Sequence, residues 1–132
     1  MEFTSENTGA KIVINVCSFE DAFQLKSLIE KALLDNGIKL ETAIESDIAA
    51  IVMALDSSKG VFDAMFKCLV KSTYNNVKIT KETFEDEKAR EDLYDIFFYC
   101  LKVNIYPFFK PLLSRFGISL EAPAKGEPLA SV

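Results

Sequence analysis

The sequence predicts a mainly α fold, a compact helical domain of four to five helices with a small β element. Three observations predict it. Apolar residues recur at helical spacing in several long stretches. Hydrophobic residues make up 49 % of the chain and charged residues 27 %, an ordinary globular balance. The one clear β-branched run, KIVINVC at residues 11–17, is strand-like and short. Residues 38–42 and 77–80 are candidate further extended pieces. At 132 residues the chain fits one domain. Residues 1–10 are polar and expected to be flexible, 11–117 form the helical domain, and 118–132 (ISLEAPAKGEPLASV), without periodicity beyond Glu121, form a flexible tail.

Ser18 is placed to cap the first helix, with Asp21 as a short capping box. Leu25, Leu28, Ile29, Ala32 and Leu33 follow at i, i+3, i+4, i+7 and i+8, and Asn36-Gly37 ends the stripe. Ser46 or Asp47 opens a second helix through Ile48, Ile51, Val52 and Leu55. Asp56-Ser57-Ser58 breaks it and caps a third, carrying Val61, Phe62, Met65, Phe66, Leu69 and Val70. Tyr74-Asn75-Asn76 reads as a turn. Thr83 is expected to cap one long helix whose core stripe is Ala89, Leu93, Ile96, Phe97 and Cys100. Asn104 and Pro107 interrupt it, with Pro107 in the first turn of a last helix ending at Phe116-Gly117.

Composition excludes much chemistry. The chain has no histidine, so no imidazole base, Ser–His pair or His-ligated metal can operate. No phosphate-cradling glycine motif occurs, since Gly9, Gly37, Gly60, Gly117 and Gly126 are isolated. Fifteen basic against twenty acidic residues disfavour nucleic-acid binding, which rests on neutralising phosphates. Glu85, Asp86, Glu87, Glu91, Asp92 and Asp95 interleave with Lys88 and Arg90, as on a solvated helix face, and lack the spacing of a calcium loop. Cys17, Cys68 and Cys100 are far apart in sequence and each sits among apolar residues, as small buried hydrophobes do in a reducing compartment. The acidic, polar N-terminus is unlike a signal peptide. No cofactor is implied.

Residues 93–109 (LYDIFFYCLKVNIYPFF) are the informative segment. Eight of the fifteen aromatic residues lie between Tyr94 and Phe116. A membrane span is rejected, because spanning needs about 20 apolar residues and this shorter stretch holds Asp95, Lys102, Asn104 and Pro107. With Ile96, Phe97 and Cys100 forming one inward stripe, Phe98, Tyr99, Leu101 and Ile105 point elsewhere on the helix. A small domain has little core to cover both faces. Phe98, Tyr99, Tyr106, Phe108 and Phe109 are therefore candidates for partner binding or self-association.

Three stretches carry a wider resemblance: SFEDAFQLKSLIEKAL with NGIKL (residues 18–40), VFDAMFKCLVKSTYN (61–75) and KITKETFEDEKAREDLYDIFFYCLKVNIYPFFKPLLS (78–114). The last is the most specific, with Thr83-Phe84-Glu85, Ala89-Arg90, Tyr94, Lys102-Val103-Asn104 and Pro107-Phe108-Phe109-Lys110 in order. Together they resemble the tail assembly chaperones of long-tailed phages infecting Gram-positive bacteria. The resemblance implies a small, helical, non-enzymatic protein of the host cytoplasm, absent from the mature virion. It implies binding of the hydrophobic tape measure protein, homo-oligomerisation, and contact with tail-tube protein through a longer, frameshifted form. A regulatory adaptor binding one defined partner is the alternative.

With no His and dispersed Cys, the purified protein is expected to melt at the same temperature with and without a chelator or a reductant. A chelator-induced fall in Tm, read by calorimetry, would reveal metal-linked folding.

Overall fold

The structure, a computed structural model, describes residues 1–35, 37 and 58–115. The expected strand at 38–42, the helix opening at Ser46 or Asp47, the helix end at Phe116-Gly117 and the tail 118–132 lie outside these residues. Described are strands β1 (Glu2–Thr4), β2 (Lys11–Val13), β3 (Thr73–Tyr74) and β4 (Val77–Lys78), and helices α1 (Phe19–Asp35), α2 (Lys59–Cys68), α3 (Glu87–Arg90), α4 (Leu93–Asn104) and α5 (Tyr106–Arg115). A 3-10 turn spans Lys81–Glu85. The fold is helix-rich, and its four short strands form one antiparallel sheet in the order β1-β2-β3-β4.

Helix boundaries follow local chemistry. The Ser18 hydroxyl accepts from the Asp21 amide at 3.2 Å, and α1 buries Ala22, Leu25, Ile29, Ala32 and Leu33. Leu28 is only half-buried. Gly37, at φ +70°, donates to the Leu34 carbonyl, the left-handed close that favours glycine. Ser58 caps α2 by accepting from the Val61 amide. That helix ends at Cys68, so Leu69 is buried while Val70 turns half out to solvent.

Two expectations are corrected, the length of the strand at 11–17 and the helix from Thr83. Residues 1–10 hold the first strand. Glu2–Thr4 pair with Lys11–Val13, and a turn closed by Gly9 (φ +75°) joins the strands. Phe3, the one large apolar residue in β1, packs on Tyr99 with ring centroids 4.3 Å apart. The expected strand 11–17 is shorter, since its neighbours are only two and three residues long. Beyond Val13 side chains replace the ladder: Ser72 Oγ accepts from the Asn15 amide and Asn104 Oδ1 from the Cys17 amide. Of the 77–80 piece, Val77–Lys78 is paired strand. It closes a hairpin through Asn75-Asn76, both with positive φ, the two-residue turn that matches strand twist.

The long helix expected from Thr83 is the second correction. Thr80 caps the 3-10 turn, Asp86 caps the four-residue α3, and the chain tightens at Glu91-Asp92 before α4 begins. The cause is Asp92, which is fully buried. Its carboxylate accepts from Ser5 Oγ, from Asn7 Nδ2 at 3.2 Å, from Thr8 Oγ1 at 2.6 Å and from Tyr74 Oη at 2.7 Å. Burial pushes its pKa up, but these hydrogen bonds outweigh burial and hold it below the ordinary 3.8.

The core is one cluster joining the sheet to α1, α2 and α4, with Ile12, Ile14, Leu25, Met65, Leu69, Ile79 and Ile96 at its centre. Ala89, Ile96, Phe97 and Cys100 are buried as the stripe requires, and Leu93 is half-buried. Ile105, expected off that stripe, is buried because α4 ends one residue earlier and the chain turns there. Phe97 meets Phe62 and Phe66 edge-on at 5.6 and 5.7 Å.

Because the folded pKa of Asp92 lies below its unfolded value, its contribution to stability is complete above pH 3.8 and disappears as pH falls through the lowered value. Acid unfolding of the wild type is therefore expected to be steeper below that pH than acid unfolding of Asp92→Asn, compared by circular dichroism.

Candidate functional site

The described surface carries one aromatic cluster, and two helices build it. On α1 the buried stripe occupies one side. Phe19, Phe23, Lys26 and Glu30 recur along its flank about a quarter-turn away. Phe19 is 65 % and Phe23 47 % exposed, and their rings stack with centroids 5.7 Å apart. On α5, Phe108 closes a triangle, meeting Phe19 at 5.9 Å and Phe23 at 6.1 Å, both edge-on. Lys26 ends the patch. Its ammonium lies 5.3 Å from the Phe23 centroid and 5.4 Å from that of Phe109, and it pairs with Glu30. Such cation–π contacts orient a cation over rings while leaving the ring edges available.

The placement of α5 depends on the interruption at Asn104. Asn104 is buried, accepts from the Cys17 amide at 2.8 Å and donates to Cys100 Sγ at 3.6 Å. The turn at Ile105 is stitched by its amide to the Leu101 carbonyl and by the Phe108 amide to the Ile105 carbonyl. Pro107 sits in the first turn of α5, where its missing N–H has no intrahelical role.

The residues singled out in the sequence fall into two groups. Phe108 and Phe109 belong to the patch. Phe98 and Tyr99 pack edge-on against each other at 5.3 Å, and Tyr99 is covered by Phe3. Tyr106 is half-buried at the first position of α5. Sequence reasoning missed Phe19 and Phe23. Their i, i+4 spacing on a helix whose core stripe excludes them was the available signal.

Other candidate chemistry resolves into structure. Asp86 is a cap, Asp92 is buried, and Asp95 accepts from Asn7 at 3.0 Å, so these acids are spent on separate hydrogen bonds. The cysteines, distant in sequence, meet in space. All three are free and buried, the Cys68 thiol donates to the Asp21 carbonyl at 3.5 Å, and Cys17 and Cys100 both lie close enough to shift its titration. Burial, then the neighbouring Cys68, pushes the Cys17 thiol up to about 12. The neighbouring Cys100, then burial, raises Cys68 further. Protonated thiols are poor nucleophiles and ligands, and among the described residues no group is arranged to hold a metal ion. Nor, among those residues, is any helix long and apolar enough to cross a membrane.

A helical domain whose most developed surface is aromatic, with its thiols and one carboxylate buried, has the make-up of an assembly or binding protein. The chain matches the family model of phage tail assembly chaperone proteins over residues 7–117 and belongs to that family. Its role is therefore that of a chaperone in tail assembly, and the family is one of assembly proteins rather than catalysts. No curated protein and no solved structure matches the chain.

The two kinds of phenylalanine are expected to separate cleanly in a thermal-unfolding series. Phe97→Ala empties a buried ring site and should cost about 3–5 kcal/mol. Phe19→Ser, at an exposed position, should change stability by no more than about 0.5 kcal/mol.

Proposed function

We propose that the protein binds the hydrophobic tape measure protein and keeps it soluble during tail-tube assembly. The observation that carries this reading is the Phe19–Phe23–Phe108 triangle between α1 and α5, extended by Phe109 beneath Lys26. Exposed, mutually packed aromatics lose little conformational entropy on binding and anchor helix-in-groove recognition. A client helix would lay an apolar stripe along the rings that α1 and α5 bring together. The acidic balance of the chain, twenty acids against fifteen bases, would keep the complex in solution.

On this reading the protein is not an enzyme and needs no cofactor. It acts in the host cytoplasm, as a homo-oligomer, and is absent from the mature virion. A longer, frameshifted form would bring tail-tube protein to the same client.

The test is co-expression with fragments that tile the tape measure protein. Wild type should move fragments from pellet to supernatant, and Phe19→Ser with Phe23→Ser should lose that effect at unchanged Tm. Pellet fractions that stay the same across the whole client would sink the reading. Full rescue by the double variant would move the binding surface elsewhere.

A further inference from the structure

Beyond client binding, the N-terminal residues carry a conformational device. We infer that residues 1–8 are a strap that opens as one unit, with the Asp92 carboxylate as its latch and Tyr99 as the surface it covers. The strap is held at two places. Along β1, three residue pairs join it to β2, and Phe3 is its only ring on the body of the domain, 4.3 Å from Tyr99. The Glu2–Lys11 ion pair beside it is solvent-exposed and adds little. In the turn, the polar contacts converge. Ser5 Oγ accepts from the Asn7 and Thr8 amides and donates its own O–H to Asp92. Asn7 Nδ2 and Thr8 Oγ1 donate to the same carboxylate.

Contacts that share one acceptor are lost together, which makes opening cooperative. The remainder of the domain does not require the strap. β2 keeps its partner in β3, through Ile12 opposite Tyr74 and Val13 opposite Thr73. Ile12 and Ile14 stay in a core built by the helices. Opening therefore uncovers two surfaces at once, the Tyr99 ring and the free edge of β2. This explains how Tyr99 can sit on an aromatic helix face yet be partly covered: the chain supplies Phe3 as its cover.

Amide hydrogen exchange on the full chain tests the inference. The Ser5, Gly9 and Ile14 amides report the strap, since they donate to Ala10, Ser5 and Met1 carbonyls. The Ala22 and Ile105 amides, bonded to Ser18 and Leu101, report the helices. In Asp92→Asn and in Phe3→Ala, exchange of the strap amides should rise by about tenfold more than that of the helix amides. Thr8→Val removes one donor and leaves the carboxylate, so it gives a smaller rise confined to the strap even if Asp92→Asn does not fold. A rise shared equally by strap and helices in Phe3→Ala and Thr8→Val would make the N-terminus an integral part of the core and overturn the strap. Strap amides unchanged in Thr8→Val would overturn Asp92 as the latch.

Discussion

A buried carboxylate with neutral partners governs how this chain is laid out. Asp92 lies out of solvent and is satisfied by three hydroxyls and an amide, from the N-terminal turn and from Tyr74 on β3. An ionised group in that position is tolerable only while its donors, or water in their place, are present. Its demand for donors draws the first eight residues onto the domain and breaks the helical run between α3 and α4. β2 and β3 together lay Ile12 and Ile14 on the helices, and β1 adds the outer strand.

Aromatic residues divide between two tasks. Phe62, Phe66, Phe84 and Phe97 meet in tilted and edge-on pairs in the interior and in its margin. Outside it Phe19 stacks on Phe23, and Phe108 meets both edge-on. The difference is one of neighbours. Phe66 and Phe97 are buried within the core, whereas in the outer set only Phe108 leans on it and Phe19 and Phe23 stand exposed. A tail assembly chaperone, whose work is to engage another protein, gains from a surface whose rings are already ordered.

Much of the helical part was legible in the sequence because its signals are local. Ser18, Ser58 and Gly37 cap where capping chemistry places them, and the stripes of α1 and α4 bury the residues their spacing selects. Asn104 and Pro107 marked the break that aims α5. What escaped depended on distant pairing. Glu2–Thr4 has one inward apolar residue and no strand signature, so it becomes a strand only beside β2. Asp92 looked like one of a row of solvated acids, and three of its four partners lie more than eighty residues away. The site was half legible: Phe108 and Phe109 stood out in an aromatic-rich segment, while Phe19 and Phe23 gained meaning only when α5 was seen to lie across α1. The three thiols likewise meet only in the folded chain.

The composition of the aromatic patch from α1 and α5 fixes when it can exist during synthesis. Phe19 and Phe23 leave the ribosome early, and Phe108 emerges only after nearly all of the described domain has been made. At about 5–20 residues per second, the first half of the patch spends several seconds without its second half. A nascent chain therefore offers two adjacent rings on one helix without the third. The triangle is completed only once residue 108 has emerged, together with the core that supports it.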